Sequence, residues 1–97
     1  GVPVFVDFTA DWCLTCKVNE KAAINREETR KAFEDAGVVT LVGDWTNGDP
    51  EITRFLEKHG RNSIPFYLFY GSEGEGEVLP QVLTVEILAS KARSSAE

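Results

Sequence analysis

Two cysteines, Cys13 and Cys16, are the only ones in the 97-residue chain, and they stand three apart in Trp12-Cys13-Leu14-Thr15-Cys16. Ahead of them Val4-Phe5-Val6-Asp7-Phe8 is a β-favouring run, and helix-compatible sequence follows from about Cys13 to Ala23. The pair therefore lies where a strand hands over to a helix. At a helix N-terminus, unpaired backbone N–H groups and the helix dipole stabilise a thiolate, so Cys13 is the expected nucleophile. Cys16, one turn further in, is placed to close a disulfide with Cys13 and to resolve a mixed disulfide. Two plainer readings compete. A structural bridge closing so short a loop removes only about 2 kcal/mol of unfolded-state entropy, a weak reason to put cysteines at a helix start. A zinc site usually takes four ligands, and His59 is the only other soft ligand in the chain.

Two carboxylates bear on the same chemistry. Asp7 interrupts an apolar strand six residues before Cys13. Burying it ionised is costly, so its pKa is expected to rise unless it finds a partner. Glu20 follows Cys13 by seven residues and Cys16 by four, which places it on the same helical face. Either acid could exchange a proton with Cys16, and negative charge there opposes the helix dipole. The alternatives are a hydrogen-bonded strand-end aspartate and an ordinary exposed helix glutamate. Ile64-Pro65 precedes a strand-like run; X-Pro bonds are cis in only about 5–6% of cases, so in isolation Pro65 reads as trans. His59, beside Lys58 and Gly60, suits a helix C-terminus and reads as structural. Trp45 reads as a packed aromatic, and Trp12 as a residue that shapes the site.

The elements that must position these groups follow from local signals. Strands are expected at Val4 to Phe8, Val38 to Val42 (buried), Phe66 to Tyr70 and Glu77 to Leu83, with Pro80 marking the last as an edge. A second helix is expected from Asn25, with Asn25 and Glu28 at capping-box spacing and Gly37 as its stop. Asp49 and Pro50 open a third helix, and Thr84 a fourth that reaches about Ala92, with Ser94 to Glu97 frayed. The order β-α-α-β-α-β-β-α predicts an α/β fold with a mixed sheet of about four strands, covered on both faces.

Hydrophobic residues make up 42% of the chain, enough for one modest core in one domain. The formal charge of −6 argues against nucleic acid or an anionic membrane as the main partner. No apolar run approaches the roughly 18 residues of a membrane span. Gly1-Val2-Pro3-Val4 carries no basic region, and methionine is absent throughout. The chain therefore reads as a fragment of a longer protein, without a signal peptide of its own.

The stretch from Val4 to Lys17, with Ile64-Pro65 and the element order, resembles the thioredoxin superfamily across nearly the whole chain. The resemblance implies a thioredoxin-like fold, with the superfamily's buried aspartate at Asp7 and its cis-proline at Pro65. It also implies that the backbone beside that proline pairs with the substrate chain. Leu14-Thr15 departs from the usual Gly-Pro between the cysteines. The superfamily's first strand and helix, ahead of the motif strand, have no counterpart here and are expected outside the fragment.

Within the superfamily, Ala10-Asp11-Trp12-Cys13-x-x-Cys16-Lys17 with Glu20 is similar to the C-terminal domain of the DsbD family of thiol:disulfide interchange proteins. Asp44-Trp45-Thr46 and the Gly60 to Pro65 run share that likeness. The resemblance implies a soluble periplasmic domain of an inner-membrane protein, with no cofactor beyond the Cys13–Cys16 disulfide. Electrons would come from the transmembrane domain, itself reduced by cytoplasmic thioredoxin. They would pass to the N-terminal domain, and so to isomerases or cytochrome c maturation proteins. Asp7 and Glu20 would tune the cysteines, while Trp12, Ile64, Pro65 and Phe66 would form an apolar docking rim. An oxidase or isomerase, a non-catalytic binding module and a metal handler are the competing readings.

Overall fold

The computed structural model describes residues 1–95. Val4–Thr9 forms strand β1 and Leu14–Asn19 helix α1, and a π-helical turn, Glu20–Ile24, leads toward helix α2, Glu27–Ala36. Strand β2 (Val39–Asp44), helix α3 (Pro50–Lys58), strands β3 (Phe66–Tyr70) and β4 (Gly76–Val78) and helix α4 (Val85–Ser95) follow. The sheet order is β2-β1-β3-β4. β2 lies parallel to β1, β3 antiparallel to β1, and β4 antiparallel to β3. This is the expected mixed four-stranded α/β arrangement.

Alternation along the strands builds the two layers, because successive side chains point to opposite faces. On one face Phe5, Tyr67 and Phe69 pack with Phe33 of α2 and Leu88 of α4. On the other, Phe8, Phe66 and Leu68 pack with Leu56 of α3. Phe5 stacks on Tyr67 at 6.0 Å between ring centroids and meets Phe33 edge-on at 5.6 Å, geometries that add to simple burial. β1 is bonded on both sides, so its C-terminal end is firmly placed, and that end delivers the chain to Cys13.

Several boundaries differ from the sequence-based expectation, each for a physical reason. The strand expected over 77–83 ends at Val78. One further bond joins Leu79 N–H to the Tyr67 carbonyl, but Pro80 has no N–H to continue the ladder. The edge position of β4 is as expected. β2 is not buried: Val39, Leu41 and Val42 are 45%, 53% and 62% exposed, because among the described residues β2 pairs with β1 alone. The first helix does not run evenly to Ala23, since its second half is a π turn in which Asn25 N–H bonds the Glu20 carbonyl at 2.7 Å. Asn25 is thus engaged in closing that turn, and Arg26 takes the N-cap position of α2 without a side-chain bond. Gly37 ends α2 at φ +72°, as expected of the helix stop. Thr84 caps α4, its hydroxyl accepting the Ile87 N–H, but α4 runs on through Ser95. Of the expected frayed tail, Ala96 and Glu97 lie outside the described residues.

The N-cap of α3 is the best-formed of the caps. The Asp49 carboxylate accepts the N–H groups of Glu51 and Ile52 at 2.8 and 3.3 Å, and Pro50 occupies the first turn. Asp49→Ala is expected to lower stability by about 1 kcal/mol, read as a reduced urea midpoint with an unchanged slope.

Candidate active site

Cys13 is the N-cap of α1, with extended backbone, and its sulfur accepts the Cys16 N–H at 3.1 Å. The Cys13 N–H donates to the Ala10 carbonyl at 3.1 Å, which closes the turn out of β1. Cys13 and Cys16 are joined as a disulfide with Cα atoms 5.2 Å apart. They pack with Ala10 and the partly buried Ile64. Cys13 is 6% exposed and Cys16 0%, so an incoming group reaches Cys13 first. The Cys16 sulfur lies 4.0 Å from the Phe8 carbonyl, against the strand that carries Asp7. A cysteine sulfur at a helix start with a second, fully buried sulfur one turn behind it is an arrangement for dithiol–disulfide exchange.

Asp7 is 4% exposed, and its Oδ1 has no hydrogen-bond partner among the described residues. Burial above all, and then the negative charge of Glu20, raise its pKa from 3.8 to about 6, against a lowering influence from Lys17. That oxygen therefore lacks the hydrogen bond that the plainer reading of Asp7 expects. Glu20 opens the π turn, with its side chain 23% exposed. Its Oε2 accepts the Thr9 hydroxyl at 2.8 Å, and its Oε1 lies 3.8 Å from Lys17 Nζ. The Tyr67 hydroxyl belongs to the same group. Burial chiefly pushes its pKa up to about 12, the Asn19 hydrogen bond opposes that, and the Asp7 and Glu20 charges add to it.

Trp12 is 59% exposed yet held: its indole N–H donates to the Thr46 carbonyl at 3.0 Å. The Thr46 hydroxyl accepts the Asp11 N–H at 2.9 Å and donates to Asp44, whose carboxylate also accepts the Thr46 N–H. These two bonds from Thr46 hold the Asp44 pKa below the usual carboxylate value. Trp45 packs against the Phe8 cluster, bonds the Thr53 hydroxyl, and lies 6.2 Å from the Trp12 ring. The Ile64–Pro65 bond is cis. Pro65 is buried and Ile64 partly so. Phe66 does not belong to an exposed rim: at 1% exposure it is core, because β3 begins there and turns it inward. His59 bonds the Phe55 carbonyl through Nδ1 and packs at a tilt against the Phe55 ring, a structural position as expected. Among the described residues no group of three or more His, Cys, Asp or Glu side chains is placed to hold a metal ion.

Four residues near the site carry no signal in the motif itself: Thr9, Asn19, Thr46 and Gln81. Asn19 follows Cys16 by three, so its spacing on the inner face of α1 was the available clue. Thr46 sits two residues after Asp44, the spacing of an Asx turn. Gln81 meets Pro65 only through the tertiary fold, its Nε2 donating to the Pro65 carbonyl at 3.2 Å.

The thioredoxin-like family model matches residues 1–72. The thiol:disulfide interchange protein DsbD of Klebsiella pneumoniae subsp. pneumoniae is 33% identical over 75 residues, which cover 77% of this chain and 12% of that protein. The protein of the same name from Escherichia coli K12 is 33% identical over 81 residues, covering 84% of this chain and 14% of its own length. The chain thus spans about one-eighth of the length of these relatives. Among solved structures, the oxidised C-terminal domain of Neisseria meningitidis DsbD superposes with a TM-score of 0.75 at 25% identity, covering 97% of this chain and 80% of that one. Its reduced form gives a TM-score of 0.73 at 26% identity, covering 96% and 80%. With the cysteine pair at the β1–α1 junction and the sheet order already described, the chain belongs to the thioredoxin-like family.

Proposed function

We propose that the chain is one thioredoxin-like domain of a longer membrane protein and works as a protein-disulfide reductase. The observation that carries this is the Cys13–Cys16 disulfide at the start of α1, set against a strand whose buried Asp7 has an unpartnered oxygen. Its partners are proteins: a transmembrane domain of the same polypeptide supplies electrons, and its N-terminal domain takes them toward disulfide isomerases or cytochrome c maturation proteins. On this reading the domain works in the periplasm. Among the described residues no helix is long and apolar enough to cross a membrane. The likeness to DsbD supports the assignment.

In the reduced domain the Cys13 thiolate, held by the Cys16 N–H, attacks one sulfur of a partner disulfide. A mixed disulfide forms, and the partner's other sulfur leaves as a thiolate that takes up a proton. Asp7 then accepts the Cys16 proton, its affinity raised by burial and by the Glu20 charge. The Cys16 thiolate attacks the Cys13 sulfur, the bond from Cys13 to the partner breaks, and the partner departs as a dithiol. The domain is left oxidised, having given up two electrons. Ile64, beside Cys13, makes no backbone hydrogen bond among the described residues, so its N–H and carbonyl are available to an extended partner segment. Leu14 and Thr15 bring no charge to stabilise the Cys13 thiolate, and Asp7 and Glu20 disfavour it. A dithiol form so disfavoured is a reductant rather than a strong oxidant.

Equilibration of the domain in glutathione or dithiothreitol buffers, followed by Trp12 fluorescence and thiol labelling, is expected to give a reduction potential of about −200 to −270 mV. A potential near −120 mV overturns the reductant assignment. Cys13→Ser should abolish exchange, and Cys16→Ser should accumulate the mixed disulfide, visible as a partner-linked species on a non-reducing gel.

Asp7 gives a second test, with a defined sign. Its folded pKa of about 6 exceeds the ordinary 3.8, so between these values the folded chain holds a proton that the unfolded chain has released. The Asp7 contribution to the stability of the oxidised domain is therefore most favourable below about pH 4 and falls as the pH rises toward 6. Asp7→Asn should remove that fall and leave the variant more stable at pH 7, by up to about 3 kcal/mol. The same variant should resolve mixed disulfides roughly 100-fold more slowly if Asp7 takes the Cys16 proton. Denaturation at a series of pH values and single-turnover kinetics read the two effects separately.

A further inference from the structure

Asn19 is 1% exposed and lies one turn beyond Cys16, yet the exchange steps give it no task. Its amide is engaged at both ends. Nδ2 donates to the Tyr67 hydroxyl at 2.9 Å and to the Gln81 carbonyl at 2.8 Å, and Oδ1 accepts the Leu83 N–H at 3.0 Å. Every one of these bonds leaves α1 for another part of the fold. Tyr67 stands on β3 two residues after Pro65, and Gln81 and Leu83 lie in the segment between β4 and α4. The Gln81 side chain then donates to the Pro65 carbonyl at 3.2 Å. Since Ile64 packs with Cys13 and Cys16, the contacts close a circuit around the disulfide.

An apolar side chain would serve at this depth if α1 needed only packing. A buried amide is costly unless its bonds are made, and once made they specify one arrangement rather than many. What this amide fixes is the position of the Pro65 turn relative to the helix that carries Cys16. We propose that Asn19 is a positioning residue for thiol–disulfide exchange. With Gln81 it holds the Ile64–Pro65 edge in register with Cys13, so that an extended polypeptide docked there presents its disulfide in line for attack. This rests on the reading that the partner is a protein disulfide. It predicts selectivity for disulfides in extended polypeptides over small ones, because a small disulfide has no chain to lay along the edge.

The test uses the reduced chain in single turnover against two probes: a short peptide closed by one intramolecular disulfide, and 2-hydroxyethyl disulfide. Asn19→Ala and Gln81→Ala should each lower the ratio of peptide to small-disulfide reactivity by roughly 5- to 10-fold, the scale of one lost hydrogen bond. The loss should appear in the half-saturating peptide concentration more than in the limiting rate. The double variant should fall little further than the worse single one, because both act through one network. An unchanged ratio in Gln81→Ala, whose side chain is exposed and whose removal leaves the core intact, overturns the proposal even where Asn19→Ala fails to fold. Equal losses on both probes overturn it too, since they mark a general structural defect. A wild-type chain that reduces neither probe sinks the parent reading instead, so the two failures are distinct.

Discussion

The hydrogen bond from the Cys16 N–H to the Cys13 sulfur can exist only if a helix starts at Cys13, and a helix can start there only if β1 delivers the chain to a fixed point. That requirement accounts for much of the architecture. β1 lies inside the sheet, paired to β2 on one side and β3 on the other, so its end cannot drift. The Thr9 carbonyl accepts the Trp45 N–H, and the Ala10 carbonyl accepts that of Cys13. The loop from Thr9 to Cys13 is thereby tied to β2 before α1 begins. Against the stabilising pull of the helix start stand two carboxylates, Asp7 buried beneath and Glu20 alongside. On the proposed mechanism the helix start favours a thiolate and the two carboxylates disfavour it, and the balance between them would govern how readily the dithiol gives up its electrons.

What the sequence made legible was local. The cysteine spacing, the acid interrupting an apolar strand, the Asp49-Pro50 helix start and Gly37 as a stop each depend on chemistry within a few residues, and each has its place in the structure. Exposure of β2 was not legible, because Val39-Thr40-Leu41-Val42 has the same composition whether or not a further strand lies beside it. Pro80 marked an edge correctly, but it also ended the ladder, and one residue could not signal both. The Asn25 cap failed because a π turn used Asn25 first. Asn19 is the instructive case. Its partners stand 48, 62 and 64 residues away in sequence, so spacing revealed only that a polar side chain faced inward.

Trp12 illustrates how a side chain can be exposed and ordered together. The Thr46 carbonyl fixes its indole, the Thr46 hydroxyl fixes the backbone one residue earlier, and Asp44 orients Thr46. Trp45, bonded to Thr53 of α3, stands beside the Trp12 ring. An aromatic surface beside a reacting sulfur binds more effectively when its rotamer is already chosen, because a docking partner need not bear the entropy of ordering it. The cluster therefore links the α3 layer to the reactive edge, through residues distant from the cysteine motif in sequence.

Around the disulfide the fold treats two buried polar side chains in opposite ways. Asn19 makes three hydrogen bonds and is neutral, so it can stay rigid at every pH that concerns a protein. Among the described residues Asp7 keeps an oxygen without a partner, and its surroundings resist its charge. A bond donated to that oxygen would stabilise the ionised form, lower the pKa and make Asp7 a poorer proton acceptor for a thiol. If Asp7 takes the Cys16 proton as proposed, the unmet bond is costly to stability and useful to exchange, a conflict expected where a group must change protonation during turnover. Rigidity in Asn19 and incompleteness in Asp7 are complementary: a proton can move on and off one buried carboxyl without loosening the frame that keeps Cys13, Cys16 and Pro65 in place.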